Sequence, residues 1–318
     1  MREEIRHIQA LMEGAAYITD PAISTAVHLA TTLRKPLLVE GHAGVGKTEI
    51  AKVLARVRGT NLIRLQCYEG LDASTALYEW NYPKQILRIR LEEGDERSVS
   101  AKEADIFSED FLLKRPLLQA ITQTERAPVL LIDEIDRADI EFESFLLEVL
   151  SDFQVTVPEI GTITAVHRPD VVLTSNRSRD LSDALRRRCL YLWIDYPSFD
   201  KEVRILRTKV PGINERLAGQ IARVMQNLRR RQLQKVPGVA ESLDWAQALI
   251  ALHRDHLDVQ ALEQTLGCVL KVHEDRRVLD DHRSKIAPLL DGSAPALEPG
   301  GHSLETDFGF GSVSTPRR

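Results

Sequence analysis

A single glycine-rich segment limits the possible folds of this chain more than any other feature. Residues 41–48 read G-H-A-G-V-G-K-T, which fits the phosphate-loop pattern G-x-x-x-x-G-K-[ST]. The apolar run 36–39 precedes it and is typical of a buried parallel strand. Apolar residues at helical spacing follow it, beginning at Ile50. The loop therefore lies between a predicted strand and a predicted helix, which is the context that phosphate binding requires.

The chemistry of this loop predicts a bound nucleoside triphosphate with Mg²⁺. Its glycines allow backbone N–H groups to turn inward around an anion, and the next helix adds partial positive charge at its N-terminus. We expect Lys47 to reach the β- and γ-phosphates and the Thr48 hydroxyl to bind Mg²⁺. The predicted ATP contacts are Gly41, His42, Ala43, Gly44, Val45, Gly46, Lys47, Thr48, Glu49 and, from a second segment, Asp133.

That second segment is an apolar run, 129–132, followed directly by two carboxylates, Asp133 and Glu134. Four apolar residues in a row suit a strand buried on both faces, and open α/β sheets place their sites at the carboxyl ends of such strands. We expect Asp133 to hold Mg²⁺ together with Thr48. Glu134 is the candidate general base that activates a water for in-line attack on the γ-phosphate. The alternative for Glu134, and for Asp136 after it, is ordinary surface charge at a strand end.

Two amide side chains at predicted strand ends are further candidates. Asn176 ends the predicted strand 170–176 and could bind the attacking water or the γ-phosphate, although such a residue on its own is more often part of a turn. Gln66 ends the strand that is expected beside Asp133, where it could hold Glu134 in an inactive rotamer.

Two runs of three arginines, 186–188 and 229–231, stand out from the rest of the chain. Such a run usually faces solvent or satisfies a helix C-terminus. Because the first run lies next to the predicted nucleotide core, one of its arginines could instead be an arginine finger that reaches a neighbouring subunit's γ-phosphate. We favour the solvent-facing interpretation for the second run.

The remaining patterns divide the chain into three parts. Up to residue 197, five strand–helix units predict an α/β domain with a parallel five-stranded core sheet and helices on both faces. From 198 to 290 only helical patterns occur, the last over 258–273, which predicts a small all-α lid domain. Residues 291–318 are rich in Gly, Pro and Ser and predict a disordered tail.

Two insertions are predicted within the α/β part, at 68–127 and 155–166. In the first, residues 86–91 alternate like an exposed strand, 92–102 suggest a charged loop, and 107–122 return to a helical pattern. The second resembles a β-hairpin. The aromatic residues of the first insertion are expected to be exposed contact residues or, alternatively, to pack against its first helix; these are Tyr78, Trp80 and Tyr82.

Composition excludes several classes of protein. With 43% hydrophobic and 28% charged residues, the 318-residue chain has the composition of a soluble globular protein. Its net charge of -5 argues against a main role in coating nucleic acid. Its three cysteines are scattered, which predicts free thiols in the cytoplasm. No apolar run approaches the roughly 20 residues of a membrane helix.

Together these motifs resemble those of AAA+ ATPases of the MoxR type, which are P-loop NTPases. The quoted loop, V-L-L-I-D-E-I-D, T-S-N and the arginines before the last strand carry this resemblance, and the insertions resemble that group's helix-2 and pre-sensor-1 insertions. Five longer stretches resemble the CoxD-like branch, which assists maturation of carbon monoxide dehydrogenase and related molybdenum hydroxylases. These stretches are L-I-R-L-Q-C-Y-E-G-L-D at 62–72, Y-E-W-N-Y at 78–82, L-L-E-V-L-S-D-F-Q-V-T-V-P-E at 146–159, S-D-A-L-R-R-R-C-L-Y at 182–191 and P-G-V-A-E-S-L-D-W at 237–245.

The resemblance, which covers about residues 5 to 275, implies a ring, usually a hexamer, that remodels or loads a client enzyme with ATP and Mg²⁺. It also implies a partner with a von Willebrand A domain. The implied roles are Walker A for Lys47 and Thr48, Walker B for Asp133 and Glu134, sensor 1 for Asn176, and the finger for Arg188 or Arg187. One departure is that the segment 241–245 lacks the sensor-2 arginine that many MoxR proteins carry.

Other function classes make different demands on the sequence. A generic AAA+ remodeller of another complex would share every motif above. A DNA-associated AAA+ ATPase would be expected to carry a basic pore or an added DNA-binding module. A nucleotide-gated assembly factor would not need Glu134, and a small-molecule kinase would not explain the helical lid.

Overall fold

The structure is a computed structural model that describes residues 2–91, 98–280 and 290. Its strands in chain order are β1 (Leu37–Gly41), β2 (Leu62–Gln66), β3 (Tyr78–Trp80), β4 (Leu112–Lys114), β5 (Val129–Asp133), β6 (Gln154–Val157), β7 (Gly161–Thr164), β8 (Asp170–Ser175) and β9 (Leu190–Ile194).

The α-helices lie between and after these strands. They are α1 (Arg2–Gly14), α2 (Pro21–Leu33), α3 (Lys47–Arg58), α4 (Ala73–Ala76), α5 (Tyr82–Leu91), α6 (Val99–Ile106), α7 (Pro116–Ile121), α8 (Ile140–Asp152), α9 (Asp183–Arg188), α10 (Phe199–Lys209), α11 (Glu215–Arg229), α12 (Val239–Ala251), α13 (Val259–Thr265) and α14 (His273–Asp280). Within the described ranges, no helix is long and apolar enough to cross a membrane.

A parallel five-stranded sheet in the order β2-β5-β8-β1-β9 forms the centre of the fold. Its register places Gln66 opposite Asp133 on one side and Gly41 opposite Ile194 on the other. The carboxyl ends of β1, β5 and β8 therefore meet at one edge, and the predicted α/β P-loop fold is confirmed.

Both faces of this sheet are covered, as the continuous apolar runs predict. Leu130 and Ile132 of β5 belong to one hydrophobic cluster with residues of α7 and α8. Val129 and Leu131 of the same strand belong to another, which includes residues of α2 and α3. Alternate side chains of one strand thus pack against helices on opposite faces of the sheet.

Residues 86–91, which the sequence predicts to be an exposed strand, are part of helix α5, so that prediction is wrong. Asn81 Oδ1 accepts a hydrogen bond from the Lys84 backbone N at 3.1 Å near the start of this helix. Of its side chains only Gln85 is buried, and it donates to Ile106 O at 2.7 Å. Because so little of the helix is buried, its apolar residues do not show the period of a buried helix face, and the short alternation was misleading.

The prediction of one helix over 107–122 is also wrong in part. The segment contains a 3₁₀ turn at Glu109–Phe111, then strand β4, which pairs antiparallel with β3, and only then helix α7. Pro116 begins α7 and holds the preceding residue in an extended conformation, so a helix cannot run through this point. The predicted loop 92–102 lies partly outside the described residues, at 92–97, and its end is already helical in α6.

Two further predictions about these insertions can be compared with the structure. Strands β6 and β7 form the predicted antiparallel hairpin. Trp80 is buried, at 7% exposure, with its ring edge-to-face with Phe107 at 5.3 Å, so of the two alternatives burial holds for this residue and exposure does not. Tyr82 is 60% exposed, as predicted.

The helices after β9 pack around their own hydrophobic cluster, which is centred on α11 and Trp245. The helix predicted over 258–273 is interrupted, because α13 ends in a 3₁₀ turn at Leu266–Cys268 and α14 begins only at His273. The domain boundary near residue 197 stays a prediction, and the predicted tail at 291–318 lies outside the described residues.

The solvent-facing interpretation of the second arginine run is wrong for Arg229, whose side chain is 5% exposed. Its two terminal nitrogens donate to the two oxygens of the fully buried Glu202 carboxylate, at 2.7 Å each. Ser242 Oγ also donates to this carboxylate at 2.6 Å. This arrangement joins α10, α11 and α12.

Replacing Arg229 with alanine should therefore destabilise the protein strongly, since the Glu202 carboxylate would stay buried without its cation. We expect the free energy of unfolding to fall by about 3–5 kcal/mol, measured by chemical denaturation. The neighbouring Arg230 is exposed, and Arg230→Ala should change the free energy of unfolding by less than about 0.5 kcal/mol. Equal stability of the two variants would contradict this account.

Candidate nucleotide-binding site

The loop between β1 and α3 forms one wall of a pocket of about 440 Å³. Gly46 has a φ of 94° and is the N-cap of α3, a conformation that L-residues with a side chain rarely adopt. The loop residues that line the pocket are Ala43, Gly44, Val45, Gly46, Lys47, Thr48 and Glu49. The size of this pocket lies within the range usual for small ligands.

The Lys47 ammonium joins the loop to the neighbouring strand. It donates to Gly41 O at 2.8 Å, to His42 O at 2.6 Å and to Asn176 Oδ1 at 2.7 Å. Burial lowers the pKa of Lys47, whereas the negative charges of Asp136, Asp133 and Glu134 oppose this shift. The structure thus places Asn176 beside Lys47.

Asp133 lies at the carboxyl end of β5 and is 3% exposed. Its Oδ1 accepts hydrogen bonds from Thr48 Oγ1 at 3.0 Å and from Thr174 Oγ1 at 2.5 Å. Its Oδ2 accepts from Arg64 Nε at 3.0 Å. The two predicted metal ligands, Thr48 and Asp133, are therefore adjacent.

This donor set fits Mg²⁺, which prefers oxygen ligands and usually combines one or two carboxylates with phosphate oxygens and waters. In the described part of the chain, no group of three or more His, Cys, Asp or Glu residues could hold a metal ion. A metal at Thr48 and Asp133 would thus depend on phosphate and water for its remaining ligands.

Glu134 lines the pocket next to Asp133. Its backbone has a φ of 55°, and its N–H donates to Thr174 Oγ1 at 3.0 Å. Its carboxylate pairs with Arg137 Nε at 3.1 Å. Among the interactions of the described residues, the partner of this carboxylate is Arg137 rather than Gln66, which donates to Cys67 O at 3.4 Å and accepts from Arg64.

Asp136 has a positioning role that the sequence did not reveal. Its Oδ1 accepts from the backbone N of Asn176 at 3.2 Å, and its Oδ2 accepts from the backbone N and Oγ of Ser178 at 2.8 and 2.6 Å. Burial alone would raise its pKa, but these hydrogen bonds outweigh burial and lower it. Asp136 thereby fixes Asn176 at the end of β8. The only sequence signal was the third carboxylate in D-E-I-D.

The predicted finger arginines lie away from this pocket. Arg186 is held by two carboxylates, the fully buried Glu40 at 3.5 Å and Asp180 at 3.6 Å. Arg187 and Arg188 are exposed, and Arg188 lines a separate cavity of about 280 Å³. Neither residue lines the nucleotide pocket of its own chain, so any contact with a nucleotide requires a second chain.

Part of the pocket lining is apolar and includes the start of α12. It is formed partly by Tyr17, Ile18, Ile205, Val239 and Leu243. Apolar side chains of this kind are suited to a nucleobase, whereas the loop with Lys47 is suited to phosphates.

The start of α12 lies directly on the phosphate loop. The backbone N–H groups of Val239 and Ala240 donate to Gly44 O at 2.9 and 3.1 Å. Gly238 allows this close approach, since a Cβ on it would lie 2.6 Å from Ala43 O. The helical segment is therefore in direct contact with the loop that the sequence predicts to bind phosphate.

The segment 241–245, which contains no arginine, takes part in other interactions. Ser242 is fully buried and bonded to Glu202. The basic residues of α10 that line the pocket are Lys201 and Lys209, which pair with Asp20 at 2.6 Å and with Glu49 at 3.1 Å. Of the predicted ATP contacts, Gly41 and His42 do not line the pocket, but both of their carbonyl groups bind Lys47.

Comparison with known proteins gives a family match for slightly less than half of the chain. Residues 36–189 match the family described as AAA domain (dynein-related subfamily). This segment contains β1 to α9 and all of the predicted site residues. The gas vesicle ATPase GvpN of Haloferax mediterranei is 26% identical over 206 residues, which cover 62% of this chain and 57% of that protein. The match thus spans less than two thirds of that relative.

Solved structures with a similar fold include the RuvB Holliday junction branch migration motor of Thermotoga maritima. The two sequences are 20% identical, and the match covers 77% of this chain and 66% of the RuvB chain with a TM-score of 0.43. A mutant of the same protein is 19% identical, with coverages of 82% and 69% and a TM-score of 0.46.

Proposed function

We propose that this chain, whose residues 36–189 carry an AAA domain, binds ATP with Mg²⁺ and hydrolyses it to ADP and phosphate. The observation that carries this proposal is that five predicted site residues converge at one pocket where three parallel strands end. They are Lys47, Thr48, Asp133, Glu134 and Asn176.

The proposed roles follow from the contacts of each side chain. Lys47 exchanges its neutral carbonyl partners for phosphate oxygens, a favourable change for a buried cation. Thr48 and Asp133 hold Mg²⁺, which neutralises phosphate charge when bound. Glu134 leaves Arg137 and accepts a proton from the attacking water, which Asn176 orients.

Variants of Lys47 and Glu134 separate binding from hydrolysis. Lys47→Ala should lose ATP binding, because backbone N–H groups alone cannot balance the charge of a triphosphate. Glu134→Gln should keep binding but hydrolyse ATP about 100-fold more slowly or worse, since an amide is no base. A fluorescent nucleotide titration and a phosphate-release assay measure the two effects. A parental hydrolysis rate in Glu134→Gln would show that the base is another residue.

We further propose that the chain assembles into a ring, usually a hexamer in the group that it resembles, and that Arg188 contacts the nucleotide of the neighbouring subunit. In support, Arg188 is exposed and away from its own pocket, whereas Arg186 is held by Glu40. Arg187 is exposed beside it and is the alternative.

Arg188→Ala should accordingly bind ATP normally but lose most hydrolysis, by about 100-fold or more. Mixing these subunits with Lys47→Ala subunits should restore part of the activity, because some interfaces then combine an intact loop with an intact arginine. Arg187→Ala is measured beside it, and a loss of hydrolysis in that variant alone would assign the contact to Arg187 instead. No recovery in mixed rings that are shown to form would argue against a role in trans.

The client is proposed from the resemblance to the CoxD-like branch of MoxR-type ATPases. We propose a remodeller that assists cofactor assembly in a molybdenum hydroxylase such as carbon monoxide dehydrogenase, together with a von Willebrand A-domain protein. The exposed Tyr82 and the neighbouring apolar side chains of α5 provide a surface for such a partner; among them are Leu87, at 57% exposure, and Leu91, at 74%.

Gene deletion in a host that makes such a hydroxylase tests this client. Without the gene, the hydroxylase should have low metal content and low activity, and the parental gene should restore both. A gene encoding Glu134→Gln should fail to restore them although its product accumulates. A fully loaded and active hydroxylase in the deletion strain would exclude this client and leave an AAA+ remodeller of another complex.

A further inference from the structure

The β2 edge of the site carries a cation that the proposed mechanism does not use. Arg64 lies on β2 and extends along the strand to Asp133, where its Nε and Nη2 are 3.0 and 2.5 Å from Oδ2. Its side chain is 51% exposed, whereas that of Asp133 is 4% exposed. The pair thus joins a solvent-accessible guanidinium to a buried carboxylate.

The partners of the two Asp133 oxygens differ in charge. Oδ1 accepts from the neutral hydroxyls of Thr48 and Thr174, whereas Oδ2 is bound by Arg64. Among the hydrogen bonds of the described residues, Arg64 is the charged partner of Asp133. The carboxylate that is expected to hold Mg²⁺ is therefore already neutralised by a side chain of its own chain.

We propose that Arg64 is a displaceable counter-cation of the metal site, which competes with Mg²⁺ for Asp133 and so sets the Mg²⁺ concentration that nucleotide binding requires. Guanidinium and metal use electron pairs of the same carboxylate, and their positive charges repel each other. This inference rests on the proposed ATP and Mg²⁺ site, but it concerns a residue to which that function assigns no role.

Two features of the structure make Arg64 displaceable. The guanidinium is half exposed, so solvent screens the pair and lowers the cost of breaking it. Its Nη2 also donates to Gln66 Oε1, which gives the released side chain a neutral partner on its own strand.

The opposite role, in which Arg64 orients Asp133 for the metal, agrees less well with the contacts. The hydroxyls of Thr48 and Thr174 already fix Oδ1 of Asp133 without Arg64. The two roles predict opposite effects of removing the arginine, because loss of a competitor strengthens Mg²⁺ binding and loss of an orienting group weakens it.

The test is a Mg²⁺ titration of the binding of a fluorescent ATP analogue to the full chain. In Arg64→Gln the half-saturating Mg²⁺ concentration should fall by about three- to tenfold. Arg64→Lys should shift it in the same direction by less, because an ammonium keeps the charge but lacks the two-pronged geometry. Thermal melting shows whether Arg64→Gln folds. If it does not fold, the Mg²⁺ titration of Arg64→Lys tests the proposal instead.

Arg58→Gln is the matched control. Arg58 forms an equivalent pair with Asp170 at 2.9 Å, but at the start of β8, the end of the sheet opposite to Asp133. This variant should require the parental Mg²⁺ concentration.

An unchanged or higher Mg²⁺ requirement in folded Arg64 variants would overturn the proposed competition while leaving ATP binding intact. Absence of Mg²⁺-dependent nucleotide binding in the parental chain would instead contradict the proposed function.

Discussion

The rest of the site depends on the three hydrogen bonds of the Lys47 ammonium. Its partners are neutral oxygens at the ends of two adjacent strands, β1 and β8. A buried cation is costly unless every donor is satisfied, so this geometry requires the strand order that places Asn176 beside Gly41. An incoming phosphate would offer Lys47 charged partners in place of neutral ones.

Asp133, Glu134 and Asp136 at this edge each have partners within the chain, but they differ in how readily they can be released. Asp136 is bound by two backbone N–H groups and a hydroxyl, and it is 3% exposed. Asp133 and Glu134 are each paired with an arginine whose side chain is more than half exposed, at 51% and 63%. We infer that nucleotide binding rearranges these two pairs and leaves Asp136 as a fixed support for Asn176.

The sequence predicts the central sheet well because burial on both faces produces nearly continuous apolar runs. It predicts the phosphate loop because glycines and Lys47 are local signals. It fails for α5, whose apolar residues are exposed and therefore follow no burial period. It gives no prediction for Arg64 and a wrong one for Arg229, because the partners of both are distant in the chain and depend on register and packing, which one sequence does not display.

The most direct test of this account is an experimental structure of the chain with a non-hydrolysable ATP analogue and Mg²⁺. Lys47 Nζ should leave Gly41 O and His42 O and bind phosphate oxygens, and the metal should lie between Thr48 and Asp133. The adenine ring of the nucleotide should lie against the apolar part of the pocket lining at Leu243. A nucleotide bound elsewhere, or a Lys47 that keeps both carbonyl contacts beside bound phosphates, would contradict the account.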